Sequence, residues 1–123
     1  MSTRKAILAV MVWAAVVAFT GPASAQEEQD LGTIQFSTSG SPEAQAHFIR
    51  GVAALHSFWY EEAAEAFQMA YQTDPDFAMA YWGEAMSYNH PLWGDEQDIA
   101  AARKAMRELA PSRSQRIAKA KTD

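Results

Sequence analysis

Between residues 41 and 110 the apolar positions return at intervals of three and four, the spacing that lines up side chains along one face of an α-helix. Ala44, Phe48, Val52 and Leu55 follow at spacings of 4, 4 and 3. Ser41 precedes them as an N-cap, Pro42 suits the first helical position, and Glu43 complements the positive end of the helix dipole. Ser57 to Tyr60 carries a turn, and Glu61-Glu62 open a second helix on which Ala63, Ala66, Phe67 and Ala70 form a narrow small-residue face. Asp74-Pro75 ends it, because the residue before proline avoids the α region.

The pattern predicts three further helices. Asp76 is expected to cap the third, Ala78 to Tyr88, with an aromatic load of Phe77, Tyr81, Trp82 and Tyr88. His90-Pro91 stops it, and a loop runs to Asp95. Asp95 or Glu96 is expected to cap the fourth, which reaches Leu109 with Ile99, Ala102, Met106 and Leu109 at spacings of 3, 4 and 3. Pro111 closes it. Ser112 opens a short fifth in which Ile117 is the one sizeable apolar residue. Ile34-Gln35-Phe36 alternates, but no second strand exists to pair with it, so Phe36 is expected to tuck against the first helix. The expected fold is all-α.

The chain also matches itself. Ala44-Gln45-Ala46-His47-Phe48 returns as Ala78-Met79-Ala80-Tyr81-Trp82, an offset of 34 residues. A self-match at that period marks stacked helix-turn-helix units. The units run from about 44 to 77 and from 78 to 110. Each buries its apolar face only against neighbours, so about three are normally needed for stability.

Residues 1–25 read as a secretory signal. Arg4 and Lys5 precede the uninterrupted apolar run Ala6 to Phe19, Gly21-Pro22 breaks it, and Ala23-Ser24-Ala25 offers a cleavage site. The run is about 14 residues, short of the roughly 20 that span a bilayer. Residues 26–40 are expected to be extended and mobile. Export places the chain in the periplasm or outside the cell, with membrane contact only through an uncleaved signal. The 123 residues contain no cysteine, so no disulfide framework holds the domain.

Charge is uneven. From Gln26 to Leu109 there are 14 acidic residues against 4 Lys/Arg, and from Ala110 onward 4 basic against 1 acidic. An acidic body repels phosphates, which argues against nucleic acid as a partner. The chemistry-bearing residues are sparse. His47 and His56 lie about 180° apart on one helix at 100° per residue, and a metal site would need His90 brought to His56. Glu61, Glu62 and Glu65 occupy first turns of a helix, where they suit the dipole without any acid–base role. Ser57 and Ser87 have no partner that would make a nucleophile. The expectation is a non-catalytic chain with no cofactor.

From Ala44 onward the chain resembles the tetratricopeptide repeat family. Gly51, Tyr60, Ala63, Phe67, Ala70 and Pro75 fall at that family's glycine, turn-aromatic, alanine, aromatic, alanine and proline positions. His47, Arg50 and Ala54 depart from its usual residues. In the second unit the glycine is displaced to Gly83 and the turn is longer. The phrases LHSFWYEEA and AMAYWGEAMSYNHPLW also resemble the start of longer exported bacterial repeat proteins, of which this chain would be an N-terminal fragment. Residues 111–123 are then a basic terminal helix or the start of a further repeat.

The resemblance implies a concave groove lined by Gln45, Phe48, Val52, Leu55 and His56, then Met79, Trp82, Met86, Asn89 and His90. Such a groove suits apolar or extended segments of a protein or peptide partner. The expected function is an exported scaffold for protein–protein contact. The alternative is a small ligand- or metal-binding module using His56 and His90.

Overall fold

A computed structural model describes residues 31–90 and 97–120. The expected signal, the first residues of the extended segment, and the cap candidates Asp95 and Glu96 lie outside the described residues. Within them the chain is all-helical, with no strand. α1 spans Pro42–His56, α2 Tyr60–Thr73, α3 Ala78–Ser87, α4 Ile99–Leu109 and α5 Arg113–Lys119.

The ends of α1 and α2 follow from their punctuation. Ser41 Oγ accepts the Ala44 N–H at 3.3 Å, with Pro42 at the start of α1. The Ser41 N–H in turn donates to Asp74 Oδ2 at 3.0 Å, which ties the start of α1 to the end of α2. α1 closes in a Schellman motif: the Trp59 N–H reaches Ala54 O at 2.9 Å and the Phe58 N–H reaches Leu55 O at 3.2 Å. The residue that turns the chain is Phe58, at φ +63°, where glycine is usual. Asp74 caps the end of α2, as the proline after it requires.

Two expected caps are corrected. Asp76 does not cap α3. Phe77 takes that position without a side-chain bond, while the Asp76 N–H donates to Asp74 Oδ1 at 3.2 Å. The reason is local, because Asp74 reaches two residues forward and holds the turn itself. α4 is capped by Asp98, whose Oδ1 accepts the Ala101 N–H at 2.8 Å, so the helix starts later than the acids at 95 and 96 suggest. α5 opens with a capping box between Ser112 and Gln115.

Three phenylalanines make the centre. The ring of Phe48 lies 5.5 Å from that of Phe67 and 5.1 Å from that of Phe77, all three buried. Such tilted pairs favour the positive edge of one ring against the face of the next. Ala44, Ala54, Ala63, Ala70 and Ala80 pack around them. α1 packs on α2, α2 on α3 and α3 on α4, and α1 also touches α3. Small residues are what lets four short helices come this close.

The described residues before α1 form neither helix nor strand. The ring of Phe36 sits 5.7 Å from Phe48 while remaining about half exposed, which is the tuck expected from the sequence. Gln45 anchors it by donating to Phe36 O and accepting from Thr38 Oγ1. No helix of the described residues is long and apolar enough to cross a membrane.

Candidate functional site

The repeat-signature residues fall into the core and its turns. Gly51, Ala63, Phe67 and Ala70 are buried. A side-chain carbon on Gly51 would meet the Phe67 ring at 2.7 Å, and one on Gly83 would meet the same ring at 2.5 Å. The glycine displaced in the sequence therefore serves the same ring as Gly51, from the opposite neighbour. Tyr60 stacks on His90 with ring centroids 4.2 Å apart. Pro75 is exposed, and its carbonyl accepts the Tyr81 hydroxyl at 3.1 Å.

The ten residues assigned to the groove sit in different surroundings. Phe48 is fully buried at the centre of the core and presents nothing outside. Val52, Leu55 and Met79 are half-buried against that core. Gln45 is occupied with the segment before α1. His56 is exposed, and its Nδ1 meets Val52 O at 2.8 Å. Trp82 is 44% exposed on α3, a large open aromatic. His90 packs on Tyr60 while its Nε2 meets Ser87 O at 3.0 Å.

Met86 and Asn89 line a different depression. It lies between the C-terminal half of α3, the length of α4 and the start of α5, and has a volume of about 550 Å³. Its apolar lining is Ala85, Met86, Ile99, Ala102 and Met106. Arg103, Arg107 and Arg116 stand on its rim. Asp98 is also there, but one of its carboxylate oxygens is taken up in capping α4. The contrast with the rest of the body is sharp. Residues 31–90 carry 7 acids against 1 Lys/Arg, whereas residues 97–120 carry 2 acids against 6 Lys/Arg.

One polar cluster escaped the sequence reading. Glu84 is only 5% exposed, and its Oε1 accepts from Gln68 Nε2 at 2.8 Å and from the Tyr88 hydroxyl at 3.1 Å. Its Oε2 is buried with no hydrogen-bond partner among the described residues. The Tyr71 hydroxyl donates to Glu108 Oε2 at 3.4 Å, and its ring stacks 4.2 Å from that of Tyr81. Burial first, and then the Glu84 and Glu108 carboxylates, push the Tyr71 phenol far above its usual range. Burial followed by nearby carboxylates also raises Tyr81, and burial followed by Glu84 raises Tyr88. Phenols held neutral in this way act as hydrogen-bond donors: Tyr71 links α2 to Glu108 of α4, Tyr88 holds Glu84 at the end of α3, and Gln68 joins α2 to that same Glu84. The signal available in the sequence was an acid three residues after Tyr81 and four before Tyr88, on the aromatic face of α3.

Among the described residues no group of three or more His, Cys, Asp or Glu side chains is gathered to hold a metal ion. The two histidines of the alternative reading each have a ring nitrogen directed at a backbone carbonyl of the same or the preceding turn. Compared with protein-family models, curated proteins and solved structures, the chain matches none.

Proposed function

We propose that the chain is an exported helical-repeat module of the tetratricopeptide kind, which mediates protein–protein contact and has no catalytic activity of its own. Its export ends in the periplasm or outside the cell, and its partner is a protein or peptide, not a nucleic acid. The observation that carries this reading is the placing of Phe67 between Gly51 and Gly83. A helix in a stack has to fit both the helix before it and the helix after it. A ring on α2 that is covered by a glycine from each neighbour meets that need, and the 34-residue self-match of the sequence supplies the period.

What the packing leaves outside is consistent with contact. Trp82 is 44% exposed and Ile99 is 54% exposed, large apolar surfaces without a covering element among the described residues. Aromatic anchors of this kind dominate binding at protein interfaces. The test is selection of peptides from a displayed library on the intact chain, with Trp82→Ala alongside. Enriched peptides that bind the chain and lose affinity for a folded Trp82→Ala variant support the reading. Failure to enrich any sequence overturns it.

A further inference from the structure

We propose that the depression between α3, α4 and α5 receives an acidic amphipathic helix of a protein partner, an inference that rests on the interaction reading above and names the chemistry of the partner. The apolar lining favours apolar side chains. Met86, Ile99, Ala102 and Met106 belong to it, and the thioethers of the two methionines adapt to irregular side chains. Ile99 in this lining is 54% exposed, a large branched side chain left open to solvent. A volume of about 550 Å³ admits a few apolar side chains from one face of a helix.

The rim supplies the charge. Arg103 and Arg107 are four residues apart on α4, both exposed, and neither makes an ion pair among the described residues. The neighbouring Lys104 instead pairs along the helix with Glu108 at 3.9 Å. Arg116 is held in place, with its Nη1 donating to Ala110 O at 2.9 Å and Pro111 O at 3.3 Å. The guanidinium has further N–H donors, so a positioned arginine still offers a fork to a carboxylate. Three arginines on an apolar groove, in a chain with a formal net charge of −5, select carboxylates locally and repel them elsewhere. An occupant with apolar side chains on one face and Glu or Asp at intervals of four beside it matches both features.

The test uses the intact chain and three synthetic peptides that share one leucine face. Their polar positions are all Glu, all Gln or all Lys, and affinity is read by fluorescence anisotropy at two salt concentrations. The Glu peptide is expected to bind, weaken with salt, and exceed the Gln peptide by roughly tenfold. The double variant R103E/R107E, checked for its helical spectrum, is expected to lose that preference while keeping any binding to the Gln peptide. Equal binding of the Glu and Gln peptides, or preference for Lys, overturns the acidic partner and leaves the interaction reading standing. Binding of none of the three overturns the groove as a docking site, while the library selection decides the wider reading separately.

Discussion

The ring of Phe67 occupies the space that a side chain at Gly83 would need, with a Cβ there falling 2.5 Å from the ring. The contact is between α2 and α3, and Gly51 makes the matching one from α1 at 2.7 Å. Alanine at Gly83 gains about 1 kcal/mol in helix propensity and loses more by forcing the ring or the helix aside. Gly83→Ala is therefore expected to lower stability by about 1–2 kcal/mol, read from the urea midpoint. Phe67→Ala removes a buried ring and is expected to cost about 3–5 kcal/mol. Phe67→Leu should relieve the Gly83→Ala clash, so the two changes together should cost less than their sum. Strict additivity would mean the ring and the glycine are not in competition.

Asp74 carries much of the turn between α2 and α3. Its Oδ2 accepts from Ser41 N and its Oδ1 from Asp76 N, so one carboxylate joins the start of α1 to the α2–α3 connection. Hydrogen bonds to a charged acceptor contribute about 1.5–3 kcal/mol, reduced where water competes. Asp74→Ala is expected to destabilise by about 1–2 kcal/mol on that basis. Asp74→Asn keeps one acceptor and should fall between the two. If Asp74→Ala leaves the thermal midpoint unchanged, the bridge contributes nothing.

The alkaline limb of stability has a definite sign. Tyr71, Tyr81 and Tyr88 all have phenols raised in the folded chain, chiefly by burial and then by carboxylates that include Glu84. A phenol raised on folding contributes stability that is fully present below its unfolded value of about 10 and is lost as pH climbs above it. Urea midpoints should thus hold up to about pH 10 and decline beyond it, with phenolate absorbance appearing together with loss of helix. Tyr71→Phe removes one of these groups and should flatten the decline. Phenolate appearing at ordinary pH in a still-helical chain would contradict the buried cluster.

Much of the helical frame was legible, because its signals are local. Ser41-Pro42, Asp74-Pro75 and the 3–4 spacing of apolar residues act within a turn or two, and the first three helices fall where they point. The misplacements came from competition between neighbours. Asp74 took over the turn that Asp76 was expected to cap, and Asp98 capped α4 in place of acids nearer the loop. The groove was harder. Position in a repeat assigns Phe48 to a surface, yet the rings of Phe36, Phe67 and Phe77 enclose it, and that enclosure depends on a segment outside the repeat. Met86 and Asn89 face α4 and α5 instead, a surface that exists only once the fourth and fifth helices are placed. Glu84 is not legible in the sequence, because one carboxylate on an aromatic helix face gains meaning only when Gln68 arrives from another helix.

Phe58 holds the turn between α1 and α2 at φ +63°, a left-handed conformation that suits glycine and strains an L-residue by about 1–2 kcal/mol. Its side chain does little to offset this within the fold, since it is 46% exposed and meets Tyr60 only edge-on with centroids 6.4 Å apart. The hydrogen bonds of the motif belong to the backbone, so they survive a change of side chain. Phe58→Gly removes the strain, against which the glycine's extra freedom in the unfolded chain offsets part. The expected net is a gain of about 0.5–1 kcal/mol, read as a higher urea midpoint with an unchanged slope. Phe58→Ala loses the ring but keeps the strain, and is expected to be no more stable than the parent. A gain for Gly without one for Ala assigns the effect to the backbone. A loss on Phe58→Gly would show instead that the exposed ring stabilises the turn by more than its conformation costs.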